Sequence, residues 1–162
     1  MYFLHFCNEN NNMKKFFLFL IVAAFAIPSM AQLNPISWSY TSIKKNEKEY
    51  EIKLTATIQD RWHLYSQSQP DDAIAIPTSI KFNPNPLFIT DGKIKEDGKL
   101  EKFSDKSLGV SANQYTGTVV FTQKIKLKAK VKTNVTGSIE YQTCDDKKCL
   151  PPKTVNFSIA VR

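Results

Sequence analysis

The chain has 162 residues, 22 basic against 15 acidic side chains, a formal net charge of +7, three cysteines and two histidines. That length suits one domain with a core large enough to fold alone and calls for no second one.

Lys14-Lys15, the apolar run from Phe16 to Ile27 and then Pro28-Ser29-Met30-Ala31 read as a secretory signal peptide over residues 1–31. The run is shorter than the ~20 apolar residues needed to cross a bilayer, so no stable membrane insertion is expected once it is removed. Ser29-x-Ala31 supplies the small residues that place cleavage before Gln32, leaving 32–162 as the mature domain. No cysteine sits at that point, which excludes a lipoprotein. Residues 1–12 fit no standard n-region, which raises Met13 as an alternative start; Cys7 is then never made. Export points to the periplasm, with secretion as the alternative, and removes nucleic acid as a partner for the basic chain. It also leaves Cys144 and Cys149 where disulfides persist and thiols need a supply of electrons. The pair is either oxidised for good or deliberately cycled.

Strand-like alternation dominates residues 32–162. Tyr50, Ile52, Leu54, Ala56 and Ile58 share one parity, with Glu49, Glu51, Lys53, Thr55 and Thr57 on the other. The pattern recurs from Thr118 to Lys132, where apolar residues alternate with Thr122 and with Lys124, Lys126, Lys128, Lys130 and Lys132. Further strands are expected at Ile36 to Ile43, Thr78 to Phe82, Leu87 to Ile94, Val135 to Thr143 and Thr154 to Val161, separated by Pro, Gly, Asn and Asp clusters. About seven short strands without a convincing helix predict an all-β fold, an immunoglobulin-like antiparallel β-sandwich forming a single domain. The polar, Gly-containing stretch from Asp91 to Gln114 is long for a connection and is the candidate functional loop.

The lysine ladder reads as the solvent face of a strand, where lysines also discourage edge-to-edge pairing. Cys144, Cys149 and His63 are too few for a structural metal, and His63, between Trp62 and Leu64-Tyr65, reads as a packed or partly exposed histidine. No Gly-x-Ser-x-Gly, His-Glu-x-x-His or phosphate-cradling glycine loop suggests hydrolysis or nucleotide binding, and no cofactor is implied. Cys144 and Cys149 fall between two strands near enough in sequence to form a hairpin, so their sulfurs can meet. A ring of about six residues is a weak staple, about 2 kcal/mol by the loop-entropy relation, and immunoglobulin-type bridges cross the core instead. On chemistry alone a brace and a reaction centre both stand. Asp145-Asp146 disfavour a Cys144 thiolate, whereas Lys147-Lys148 favour one at Cys149, making Cys149 the better nucleophile.

Tyr141-Gln142-x-Cys144, a short spacer and Cys149-x-Pro151-Pro152 resemble the end of the N-terminal periplasmic domain of the thiol:disulfide interchange protein DsbD, an immunoglobulin-like electron-relay domain. Trp62 to Gln67 is similar to the aromatic segment near that domain's redox site, and Glu101 to Lys106 to its cap loop. The resemblance implies a thiol-disulfide oxidoreductase: electrons come from a membrane transporter by way of a thioredoxin-like partner and pass to periplasmic thioredoxin-like oxidoreductases. It assigns the intermolecular bond to the second cysteine, here Cys149, a shielding aromatic to Phe103, an acidic neighbour to Glu101, and Tyr65 and Tyr141 to the surround. The spacer here has four residues where the best-known members have five. Because the sequence stops at Arg162 without membrane helices, a separate membrane electron transporter is expected, as for freestanding disulfide bond correctors, and the domain is expected to be a monomer. The rival is a binding module of the same fold whose cysteines brace a loop.

Overall fold

The computed structural model describes residues 33–107 and 109–162; the expected signal peptide and Cys7 lie outside them, and Asn34 to Arg162 forms one compact unit. Nine strands form two antiparallel sheets: β1 (Ile36–Lys44), β2 (Glu49–Ile58), β3 (His63–Tyr65), β4 (Ser79–Phe82), β5 (Phe88–Asp105), β6 (Val110–Leu127), β7 (Thr133–Tyr141), β8 (Thr143–Cys144) and β9 (Lys153–Val161). The larger sheet runs β1-β2-β6-β3-β8 with β5 on the far side of β6; the smaller runs β4-β7-β9. The fold is an immunoglobulin-like antiparallel β-sandwich. Among the described residues no helix is long and apolar enough to cross a membrane.

The expected alternation sets the core. On β2, Tyr50, Ile52, Leu54, Ala56 and Ile58 are all buried, and on β6 Val119, Phe121, Ile125 and Leu127 face the same interior. The second sheet closes it with Val135, Ile139, Phe157 and Val161. Trp38 spans the layers, its ring 5.9 Å from Phe121 and 5.5 Å from Tyr141. The sheet edges are tied where Ser42 Oγ donates to the Ala160 carbonyl at 2.8 Å and the Tyr50 hydroxyl to the Arg162 carbonyl at 2.5 Å. At Gly137 the sheets need a missing side chain: a Cβ there would stand 2.2 Å from the Lys81 carbonyl oxygen and 2.5 Å from the Phe157 ring.

Three expectations are corrected. The stretch from Asp91 to Gln114 belongs to a hairpin rather than a loop, made of two 18-residue strands, Phe88–Asp105 and Val110–Leu127. Most of β5 is exposed, so no apolar period marks it, and its register shifts at Asp91/Lys95 and Gly98/Leu100 disturb what alternation remains. Buried Gln123, at an inward position, stabilises the first irregularity: its Nε2 donates to the carbonyls of Asp91 at 3.1 Å and Gly92 at 3.2 Å. The lysine-bearing strand begins at Val110 and ends at Leu127, short of Lys132. It is flanked by β2 and β3 on one side and β5 on the other, so its lysines guard no edge. They form a solvent face of a central strand.

Candidate functional site

Strands β7 and β9 pair along their whole length, and the chain between them carries both cysteines. Cys144 ends β8, which pairs with β3; Cys149 lies directly opposite Cys144 as an isolated antiparallel bridge. The two are joined by a disulfide with a Cα separation of 4.0 Å. Close spacing of this kind belongs to a non-hydrogen-bonded cross-strand pair. Hydrogen bonds frame it on both sides: Leu150 N–H to the Thr143 carbonyl and Asp145 N–H to the Lys148 carbonyl, each at 2.9 Å.

The four-residue spacer folds around Asp145. Its Oδ1 accepts from the backbone N–H of Lys147 at 2.8 Å and of Lys148 at 2.7 Å. These two donors are the main reason its carboxyl titrates below the ordinary Asp range, with the adjacent lysine charges adding to the effect. The Asp-Asp-Lys-Lys order is therefore a turn-forming device as well as a charge pattern, since an Asx side chain replaces a backbone acceptor. Lys147 and Lys148 are exposed.

The two sulfurs have unequal surroundings. Cys144 is 4% exposed and packs with Tyr65, Ala112 and Ala75, whereas Cys149 is exposed. Register places the other site residues around them. His63 faces Cys144, Tyr65 faces Gln114, Gln114 faces Glu101, and Ala112 faces Phe103. Since side chains alternate between the faces of a strand, His63, Tyr65, Gln114, Ala112, Glu101, Phe103 and Cys144 share the outer face of the larger sheet. Phe103 is 48% exposed there, outside the sandwich core. Tyr65 is buried, which raises its phenol pKa. Glu101 is held ionised below its ordinary range, chiefly by the Lys99 ammonium at 3.0 Å and also by the Thr116 hydroxyl at 3.2 Å. Tyr141 points the other way, into the core against Trp38.

Two groups extend the expected set. His63 faces Cys144 across the β3–β8 pair, with Nδ1 3.3 Å from Gln114 Nε2 and Nε2 3.4 Å from Asp146 Oδ1. Glu96 on β5 accepts from Ser66 Oγ at 2.6 Å, Gln67 N–H at 2.7 Å and the Tyr115 hydroxyl at 2.7 Å, fixing the exit of β3. Burial, then that bond to the carboxylate, push the Tyr115 phenol pKa up. Spacing shows neither, because their partners are 19 to 83 residues distant. Among the described residues no group of three or more His, Cys, Asp or Glu is arranged to hold a metal.

A disulfide at the sheet's surface, with one accessible sulfur and one covered, can open by thiol exchange without disturbing the core. Comparison with known proteins agrees with that chemistry. Residues 35–160 match the family described as thiol:disulfide interchange protein DsbD, N-terminal. The N-terminal periplasmic domain of ScsB from Proteus mirabilis is similar in fold at 16% identity and a TM-score of 0.55, over 82% of this chain and 48% of that one. The chain thus spans about half the length of that relative. The reduced N-terminal domain of Neisseria meningitidis DsbD aligns at 16% identity and a TM-score of 0.49, over 80% of this chain and 90% of that one. The complex of the DsbD and PilB N-terminal domains from Neisseria meningitidis aligns at 16% identity and a TM-score of 0.47, over 79% and 87%. No curated protein matches. With nearly all of the described sandwich and both cysteines inside the matched residues, the chain belongs to the DsbD N-terminal family, a family of periplasmic thiol-disulfide exchange domains.

Proposed function

We propose that the protein is an exported thiol-disulfide carrier that takes electrons from a membrane transporter and passes them to thioredoxin-like oxidoreductases by exchange at Cys144–Cys149. The observation that carries this reading is the asymmetry of the pair. Cys149 is exposed at the end of a surface turn and Cys144 is covered by Tyr65 and Ala112. An incoming thiolate reaches Cys149, forms a mixed disulfide there and releases Cys144, and a second thiol of the donor then frees Cys149; in the outward direction the Cys149 thiolate attacks a partner's disulfide and Cys144 resolves the adduct. Phe103, exposed on the same face, is suited to shield the sulfurs between encounters, and Tyr65 lines the covered side.

The test is covalent capture. Cys144→Ala should leave Cys149 free to hold a thioredoxin-like partner as a stable adduct, and Cys149→Ala should capture little. Capture through Cys144 alone would reverse the roles. Capture through neither, with the pair fully oxidised in intact cells, would leave the disulfide a loop brace and the domain a binding module.

A further inference from the structure

We infer that His63 is the proton donor and acceptor for the Cys144 sulfur during exchange, held in place by Gln114 on β6 and Asp146 on the cysteine turn. The inference rests on the assignment of Cys149 as the attacked sulfur and Cys144 as the leaving one.

The need arises from burial. When Cys149 is attacked, the electron pair of the broken bond departs on Cys144, which is 4% exposed. A thiolate there is desolvated, and burial disfavours the charged form. A nearby proton removes that penalty. His63 lies opposite Cys144 in the β3–β8 pair, where facing side chains have Cβ atoms about 4.5–5.5 Å apart on one face of the sheet. Its side chain is only 17% exposed, and both ring nitrogens have partners. In the neutral ring, Nε2–H donates to Asp146 Oδ1 and Nδ1 accepts from the Gln114 amide. In the charged ring, Nδ1–H donates to the same amide rotated to present its oxygen. The cradle therefore serves both protonation states. The ring's two partners lie on β6 and on the turn beyond Cys144, and the β3–β8 register sets His63 across from Cys144 between them.

The step balances as follows. A thiolate attacks Sγ of Cys149; the new S–S bond forms as the Cys144–Cys149 bond breaks. Imidazolium His63 gives its proton to Cys144, which leaves as a thiol. In the resolving direction neutral His63 takes that proton back, the Cys144 thiolate attacks Cys149, and the partner departs as a thiolate. A second thiol of the partner completes reduction of the domain when electrons flow inward.

Charged and titratable groups face the ring from the neighbouring elements. The turn contributes Asp146 with Asp145, Lys147 and Lys148; β5 contributes Glu101, which interacts electrostatically with His63 and is itself paired with Lys99. From β6 come only the uncharged Gln114 and Thr116, and on its own segment lie Tyr65 and Arg61. Imidazole as a class changes charge between about pH 5 and 8, so the exchange rate should carry a limb in that window.

The test follows reduction of the oxidised domain by dithiothreitol, whose second thiol completes the reduction, from pH 5 to 8, with each rate divided by the fraction of dithiothreitol present as thiolate. In the wild type this corrected rate should fall about tenfold as pH rises; a positioned acid supplies about 10²–10⁴ in enzymes, and a small thiol without a docking surface should draw on less. His63→Gln should be flat at the slower level, with an unchanged urea midpoint. In Cys149→Ala, the Cys144 thiolate absorbance should rise in two stages with His63 present and in one with His63→Gln. A His63→Gln profile that falls like the wild type's overturns the inference while leaving exchange intact. An oxidised wild type that dithiothreitol does not reduce at any pH removes the carrier reading, and this inference with it.

Discussion

Reduction of the Cys144–Cys149 bond should cost the domain about 2 kcal/mol of stability, because the bond closes a ring with a sequence separation of only 5. The loop-entropy relation gives about 2 kcal/mol for such a ring, against about 4.7 for a hundred-residue loop. The structure gives reason to expect nearly the whole of that figure. The turn is already closed by the Asp145 side chain on two backbone donors and by the Leu150–Thr143 and Asp145–Lys148 bonds, none of which involves sulfur. The unfolded ring therefore has more freedom to lose than the folded one gains on reduction. The interior built from Phe121, Ile52, Leu54, Val135 and Ile139 lies on the other side of the sheet from the disulfide. Urea melts of the oxidised and reduced protein measure the difference. With slopes of about 1–3 kcal/mol/M for small domains, the midpoint should shift by about 1 M, with the slope itself unchanged. An unfolded reduced protein, or a loss above about 4 kcal/mol, would refute the reasoning and make the bond a structural necessity.

Phe103→Ala should leave the melting midpoint nearly unchanged, since the ring is half-exposed outside the core, yet speed oxidation of the reduced pair by small disulfides several-fold; equal oxidation rates would remove the shielding role. Asp145→Ala should destabilise the cysteine turn at neutral pH. The carboxyl titrates lower in the fold than its ordinary value of 3.8, so its contribution is complete above about pH 5, falls as pH drops through the folded value and vanishes below it. Stability curves of the two proteins should converge in acid; a constant gap down to pH 2 would show that the lost side-chain charge is not the cause.

The strands that face the core on one side and water on the other were legible, because burial of one face imposes a period of two on the sequence. β2 and the second half of β6 are of this kind, as are β1, β7 and β9 at nearly the expected limits. β3 was not, since three residues carry no period and their strand character comes from partners on β6 and β8. The β5–β6 hairpin was missed for a different reason. Its outer strand is wet on most positions, so selection for burial leaves no mark, and it holds its shape by backbone pairing. Within the site, the cysteines and the turn between them could be found from local spacing. The face that gathers His63, Gln114, Glu101 and Phe103 depends on register across three strands, which spacing along one strand cannot encode.

The hydrogen-bonded turn between the cysteines has a consequence for lifetimes. Because the turn is closed without the sulfur bond, the reduced side chains remain across from each other, Cα atoms 4.0 Å apart in the oxidised fold, at an effective concentration well above the millimolar level of a short flexible tether. Any adduct on Cys149 is then attacked by Cys144 almost as soon as it forms. Covalent complexes should be short-lived in the wild-type protein, and small-molecule caps such as glutathione should not accumulate on it. A domain built this way holds a partner only for the duration of one transfer, and its turnover is set by how fast the next partner arrives.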